Sequence, residues 1–339
     1  MSDLYLPTGS KLLDLYLSNR KDGGLMAGKY YLLVGDSSAG KTLFAMTMLA
    51  EAARLSGFEK HRLIYDDAEG GNLFDQEKMF GTKLLERIEP PKVEDEEPQY
   101  SSTIEEFLYN LDDAVEDGRP FIYVLDSSDA LSSEPEQDKF DEQKQAYRKG
   151  KDTAGSYGDG KAKAFSAGLR QLMDPLRQTD SILIIINQTR DNLGFGFQKK
   201  TRSGGRALTF YATAELWLAV NKKIKRNVKG KERSIGNYVE VEVKKNRLTG
   251  VEGKVLVPVY PTYGIDDVGS CVDWLVAEGR WGKSGQKIVA DGFDLEASQA
   301  KVIEHIESEG LEHKLADIVY DHWQAIMEAV SLKRKGKYE

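Results

Sequence analysis

The chain has 339 residues, 40% hydrophobic and 30% charged, with 47 Lys and Arg against 55 Asp and Glu for a formal charge of −8. That is a globular composition, and no apolar run approaches the ~18 residues of a membrane-spanning helix. Cys271 is the only cysteine, which excludes an internal disulfide and any cysteine-based metal cluster.

In chain order, Met1–Gly9 lacks the basic and apolar regions of a signal peptide, so a cytoplasmic protein with no membrane partner is expected. Tyr30–Val34 reads as a buried strand, followed by a Gly/Ser loop and a helix from about Lys41 to Leu55. Arg62–Tyr65, Phe121–Leu125 and Ile182–Ile186 are further short strands, and unbroken apolar runs of this kind belong to a parallel sheet covered by helices. Lys161–Gln178 has helical spacing. Tyr238–Val243 and Lys254–Val259 alternate polar and apolar residues, as half-exposed antiparallel strands do. Asp294–Lys333 is helical again. Pro90–Tyr100, Ser132–Gly160 and Arg190–Gly205 read as loops. The expected fold is α/β, a mostly parallel central sheet with antiparallel edge strands and a small, mostly helical C-terminal domain.

The modest net charge hides a polarised chain. Between Glu86 and Gly118 there are twelve acids and only Arg87 and Lys92 to oppose them. Between Lys199 and Arg247, fourteen bases face Glu215, Glu232, Glu240 and Glu242. The distribution of charge, rather than its total, therefore bears on the partner.

The most specific signal is Gly35-Asp36-Ser37-Ser38-Ala39-Gly40-Lys41-Thr42, which matches G-x-x-x-x-G-K-[ST] between a strand and a helix. Glycines let backbone N–H groups curl around phosphate oxygens, and the helix N-terminus adds positive potential. Lys41 is expected to reach the β/γ-phosphates of ATP and the Thr42 hydroxyl to ligate Mg²⁺. Asp126 closes the Phe121–Leu125 strand, a position suited to holding Mg²⁺ through water. A second strand runs into Asp66, Asp67 and Glu69; Glu69 is the candidate general base, and Asp66 and Asp67 read as turn caps.

These residues resemble one family, the RecA-type recombinases, through most of the chain. Thr8-Gly-Ser10, Leu13-Asp14, Gly23-Gly-Leu25 and Gly28 look like the lead-in to that family's phosphate loop. Asp67-Ala-Glu69 is similar to the motif of its catalytic glutamate, and Asp126-Ser-Ser-Asp-Ala-Leu131 to its Mg²⁺ strand. Ile186-Asn-Gln188-Thr-Arg190 resembles the motif whose glutamine senses the γ-phosphate. Ser203-Gly204-Gly205-Arg206 through Ala212 resembles the close of the second DNA loop, and Val243-Lys-Lys245-Asn-Arg247 the stretch whose cations reach ATP across a subunit interface.

The resemblance implies a RecA-like P-loop ATPase core over 29–268, a lead-in over 1–28 and a C-terminal domain over 269–339, with DNA loops near 132–163 and 190–206. ATP would be held in cis by Lys41, Thr42, Asp126 and Glu69 with Gln188 as sensor, in trans by Lys245 and Arg247, and by the aromatic Tyr263. Single-stranded DNA would meet Lys163 and Arg170 on one helix face, then Arg190, Phe195, Phe197, Lys199, Lys200, Arg202, Gly204, Gly205 and Arg206 in the second loop. Cations for phosphates and rings for stacking form the composition of a single-strand site. The implied activity is an ATP- and DNA-dependent recombinase that coats single strands as a homo-oligomer, a helical filament by preference, and pairs them with homologous duplex. A ring-forming helicase-type motor and a nucleotide-switched loading mediator are the alternatives. Two departures stand out. Only Met1–Pro7 precede the lead-in motif, where bacterial members carry a long oligomerisation helix, which points to a phage-encoded protein in the host cytoplasm. Gln76 falls where the family stacks adenine on a tyrosine.

Overall fold

The computed structural model describes residues 3–149, 160–191, 200–202 and 205–335. The chain opens with β1 (Tyr5–Leu6), α1 (Lys11–Ser18) and β2 (Leu25–Met26), the two strands pairing antiparallel. The Ser10 hydroxyl accepts the Leu13 amide as N-cap, and Asn19 closes the helix in the left-handed region. Asp14 pins this lead-in: its Oδ1 accepts the Thr8 amide at 2.9 Å and the Thr8 hydroxyl at 2.8 Å.

β3 (Lys29–Gly35) leads into α2 (Lys41–Arg54), and β4 (Arg62–Asp66) into the short α3 (Gln76–Phe80) and α4 (Thr82–Arg87). Pro90–Tyr100 is not a plain loop. It holds an exposed hairpin, β5 (Lys92–Glu94) with β6 (Glu97–Gln99), turned at Asp95 and Glu96, both at positive φ. α5 (Ile104–Glu116) carries a capping box between Thr103 and Glu106 and precedes β7 (Phe121–Leu125).

Ser132–Gly160 is likewise not a loop throughout, because Glu134–Arg148 forms α6. None of its residues is buried, so no apolar period betrayed it. Its start is fixed locally: Glu136 Oε2 accepts the Ser133 amide at 3.2 Å and Pro135 occupies the first turn.

α7 (Gly160–Gln178) precedes β8 (Ile182–Asp191), which continues past its apolar run, and β9 (Lys200–Arg202) folds back antiparallel on its end. After α8 (Gly205–Tyr211) come two long strands, β10 (Ala214–Val228) and β11 (Lys231–Asn246), then β12 (Gly253–Tyr260) and β13 (Gly264–Ile265). The last segment holds α9 (Asp267–Ala277), α10 (Gln299–Ser308) and α11 (Glu312–Val330). A three-stranded antiparallel sheet, β14 (Gly282–Ser284), β15 (Lys287–Ala290) and β16 (Leu295–Ala297), stands beside these helices.

The main sheet has the order β13-β12-β11-β10-β3-β8-β7-β4, with β9 attached to β8. β10, β3, β8, β7 and β4 are parallel, and β11 to β13 are antiparallel additions at one side. Alternation along β3 splits the core into two layers. Tyr31 and Leu33 join the cluster that contains α2, α1 and the C-terminal helices, whereas Tyr30, Leu32 and Val34 face α5, α7 and α8. α1 also meets the far end of the chain. Tyr16 packs edge-on to Trp323 at 4.6 Å, Trp323 Nε1 donates to Asn19 Oδ1 at 2.7 Å, and Asp267 accepts the Lys11 amide at 2.7 Å. Among the described residues, no helix is long and apolar enough to cross a membrane.

Candidate nucleotide site and DNA-facing loops

Four neighbouring parallel strands end at one edge of the sheet and deliver one group each. β3 delivers the loop from Gly35 to Thr42. A Cβ on Gly35 would lie 2.5 Å from the Leu218 carbonyl of the adjacent strand, so only glycine fits there. Gly40 starts α2 at φ 94°, a left-handed geometry that frees the following amides to point into the loop. Lys41 is buried, and its ammonium donates to the Gly35 carbonyl at 3.0 Å and the Asp36 carbonyl at 2.7 Å. Burial pulls the Lys41 pKa down, opposed by the negative charges of Asp126 and Glu69. It is a desolvated cation held ready for anionic oxygens.

β7 delivers Asp126. Its Oδ2 accepts from the Thr42 hydroxyl at 2.7 Å and from the Tyr65 hydroxyl at 2.9 Å. Burial raises the Asp126 pKa, while the Thr42 and Tyr65 hydroxyls act against the rise. β4 and the turn after it deliver Glu69, whose amide bonds to the Asp126 carbonyl at 2.9 Å. β8 delivers Gln188, whose amide N–H is fixed by Asp129 Oδ2 at 2.6 Å. Glu69 then joins the set: Oε2 accepts from Ser127 at 2.8 Å and Oε1 from Gln188 Nε2 at 2.9 Å. Thr189, next along β8, donates its hydroxyl to Asp36 in the phosphate loop. Residue 189 and the loop are thus tied directly.

The turn-cap reading of Asp67 holds, since it accepts the Gly71 amide at 3.1 Å and the Asn72 amide at 3.4 Å. Asp66 is instead a buried strut that accepts from Ser101 and from the Tyr123 hydroxyl.

A cavity of about 410 Å³ opens over these groups. Phe74, Met79, Asn237 and Tyr260 line it together with Lys41, Thr42, Glu69, Asp126 and Gln188. Tyr263 is not among its lining residues; the Tyr263 hydroxyl donates to Glu307 at 2.8 Å beside a separate hollow. Phe74 and Tyr260 escaped the sequence reading because only the fold brings their segments to the phosphate loop. The donor set of Thr42 and Asp126 is all oxygen, which suits Mg²⁺ completed by phosphate and water. Among the described residues, no group of three or more His, Cys, Asp or Glu could hold a metal by itself.

The family described as the RecA N-terminal domain matches residues 110–265. Protein RecA of Thermus thermophilus is 29% identical over 285 residues, 83% of this chain and 74% of its own. Protein RecA of Brucella anthropi is 29% identical over 287 residues, covering 83% and 69%. Protein RecA of Clavibacter michiganensis subsp. michiganensis is 29% identical over 306 residues, covering 89% and 75%. The chain is thus similar to RecA proteins over most of its length.

Lys245 and Arg247 do not line the cavity over the phosphate loop: Lys245 pairs with Glu215 of β10, which pairs with Leu32 of β3. Asn237 lines the cavity, and eight residues of strand between it and Lys245 span about 26 Å. Both cations rest on the C-terminal end of α8: Lys245 Nζ donates to the Thr209 carbonyl, and Arg247 donates to the Phe210 carbonyl at 2.9 Å. Cations at a helix C-terminus are favourably placed. α8 directly follows the segment expected to form the second DNA loop. Lys163 and Arg170 are exposed on α7, opposite its buried Phe165, Leu169, Leu172 and Leu176, and Arg170 reaches the Tyr211 hydroxyl. Arg190, Lys200 and Arg202 are placed by backbone pairing of β8 with β9, and Gly205 and Arg206 open α8. Phe195, Phe197, Lys199 and Gly204 lie outside the described residues.

Proposed function

We propose that this chain is an ATP-dependent recombinase of the cytoplasm that assembles on single-stranded DNA and pairs it with a homologous duplex, hydrolysing ATP at subunit interfaces. The observation that carries this reading is the chain of contacts from Lys41 and Thr42 through Asp126 and Glu69 to Gln188. It ends on β8, the strand that precedes the segment expected to meet DNA.

Within it, the loop amides and Lys41 hold the β/γ-phosphates, and Thr42 with Asp126 hold Mg²⁺. When bound, ATP supplies the transferable phosphoryl group and Mg²⁺ neutralises charge on its oxygens. Glu69 orients water and takes its proton, acting as the general base. Gln188 holds Glu69 in place from a strand that DNA can pull upon, so turnover responds to DNA. Lys245 and Arg247 serve the nucleotide of the neighbouring protomer, where cations supplied in trans stabilise developing charge. Their side chains donate to carbonyls of α8 rather than to groups of the local loop, which supports that assignment.

Electron microscopy with ATP and single-stranded DNA, run beside a strand-exchange assay, tests the reading. Helical filaments with exchange are expected. Closed rings would instead indicate a motor, and scattered small particles a mediator.

A further inference from the structure

We propose that the end of the β10–β11 ribbon is a docking arm that grips the acidic face of the next copy of this chain. The inference rests on the oligomerising reading above.

From Ile224 to Gly236 the two strands pair only with each other, since β3 pairs with β10 only as far as Leu218 and β12 pairs with β11 only from Asn237. The ribbon therefore projects past the edge that carries the phosphate loop. Residues 222–233 hold seven Lys and Arg and one acid, Glu232, which Lys225 engages at 2.7 Å. Arg226 and Arg233 sit directly opposite each other in the register. Like charges in opposed positions destabilise a strand pair, and a two-stranded ribbon has little else to hold it. A sequence that keeps them there fits an external anionic partner.

The opposite edge of the same sheet supplies one. At the starts of β4 and β7, Arg62 binds Glu89 and Asp117, which marks that edge. Above it the last turns of α5 and the β5–β6 hairpin expose Asp95, Glu96, Asp112 and Glu116. No ion pair engages these four among the described residues. Opposite charges on opposite edges of one sheet are the arrangement that a head-to-tail contact between identical copies requires. Asn237, at the arm's root, also lines the nucleotide cavity, so the arm and the ATP site share a support.

The test is a charge swap, read by sedimentation velocity of the full chain with ATP and single-stranded DNA. One variant carries Arg226→Glu, Lys229→Glu, Lys231→Glu and Arg233→Glu. A second carries Asp95→Lys, Glu96→Lys, Asp112→Lys and Glu116→Lys. Each alone should raise the protein concentration needed for half-assembly by about tenfold or more, because like charges then meet at the contact. The two sets combined in one chain should restore assembly to within about threefold of wild type. Three results overturn the proposal: a combined variant no better than the singles, reversals that leave assembly unchanged, or an arm variant that loses only duplex-DNA affinity. The last would make nucleic acid the arm's partner. Wild-type ATP turnover with assembly indifferent to both reversals defeats this contact alone, whereas absence of turnover defeats the functional reading itself.

Discussion

Gln188 Nε2 donates to Glu69 Oε1 across 2.9 Å, joining the end of β8 to the turn after β4. Ser127 holds the other carboxylate oxygen, so the glutamate is oriented from two strands that both belong to the parallel sheet. Glu69→Gln should lower turnover by about 10²–10⁴-fold with ATP binding retained, the usual loss on removing a general base. Gln188→Ala should keep ATP binding and lose most of the stimulation by DNA. Phosphate release measured with and without single-stranded DNA separates the two effects. An equal loss in both conditions would contradict the coupling role.

Lys41 is the buried cation of the loop, held by two carbonyls that cannot neutralise it. Lys41→Ala should abolish ATP turnover while leaving the melting temperature within a few degrees, because it also removes a desolvated charge. Turnover retained in that variant would place the site elsewhere.

Lys245 and Arg247 yield a prediction about mixtures. A chain with Lys245→Ala and Arg247→Ala should bind ATP and hydrolyse almost none. Mixed with the inactive Lys41→Ala chain it should regain turnover, since one partner brings an intact loop and the other intact cations. No recovery at any mixing ratio would argue that these cations act within their own subunit or only support α8.

The second loop should carry phosphate contacts. Replacing Lys199, Lys200 and Arg202 with alanine should weaken single-strand binding and flatten the plot of log affinity against log salt by about 0.7 per lost phosphate contact. An unchanged slope removes this loop from the DNA path.

Stability should depend on pH through Asp14. Burial pushes its carboxyl up to about 7, against an unfolded value near 4. Between those values the folded chain binds more protons than the unfolded one, so Asp14 favours folding at low pH and that advantage falls as pH rises, levelling off above about 7. Asp14→Asn keeps an oxygen for Thr8 and removes the slope. Denaturant titrations near pH 4.5 and 7.5 should show the wild type losing ground to the variant by at most ~1.4 kcal/mol per pH unit. The nearby Asp267, itself raised to about 6, adds to the Asp14 rise through its charge, so the difference reports the pair.

Much of the site was legible because its signals are local. The G-x-x-x-x-G-K-T spacing, the carboxylate that ends an apolar strand and the two-face apolar runs of a parallel sheet each occupy a few consecutive residues. α6 had such a signal too, the Ser133-Glu-Pro-Glu136 start, yet it lacks the apolar stripe by which helices are usually recognised. The hairpin in Pro90–Tyr100 was hidden for a related reason: all six of its strand residues are exposed, so neither strand alternates.

The sequence by itself therefore picked out the Gly35–Thr42 loop, Asp126, Glu69 and the parallel core that brings them together. Tertiary structure alone decided that Tyr260 rather than Tyr263 lines the nucleotide cavity and that Lys245 and Arg247 lean on α8. It also set the basic ribbon and the acidic face at opposite edges of one sheet. The physical reason is that strand order and register fix which distant segments meet, and a one-residue change of register turns every side chain to the other face.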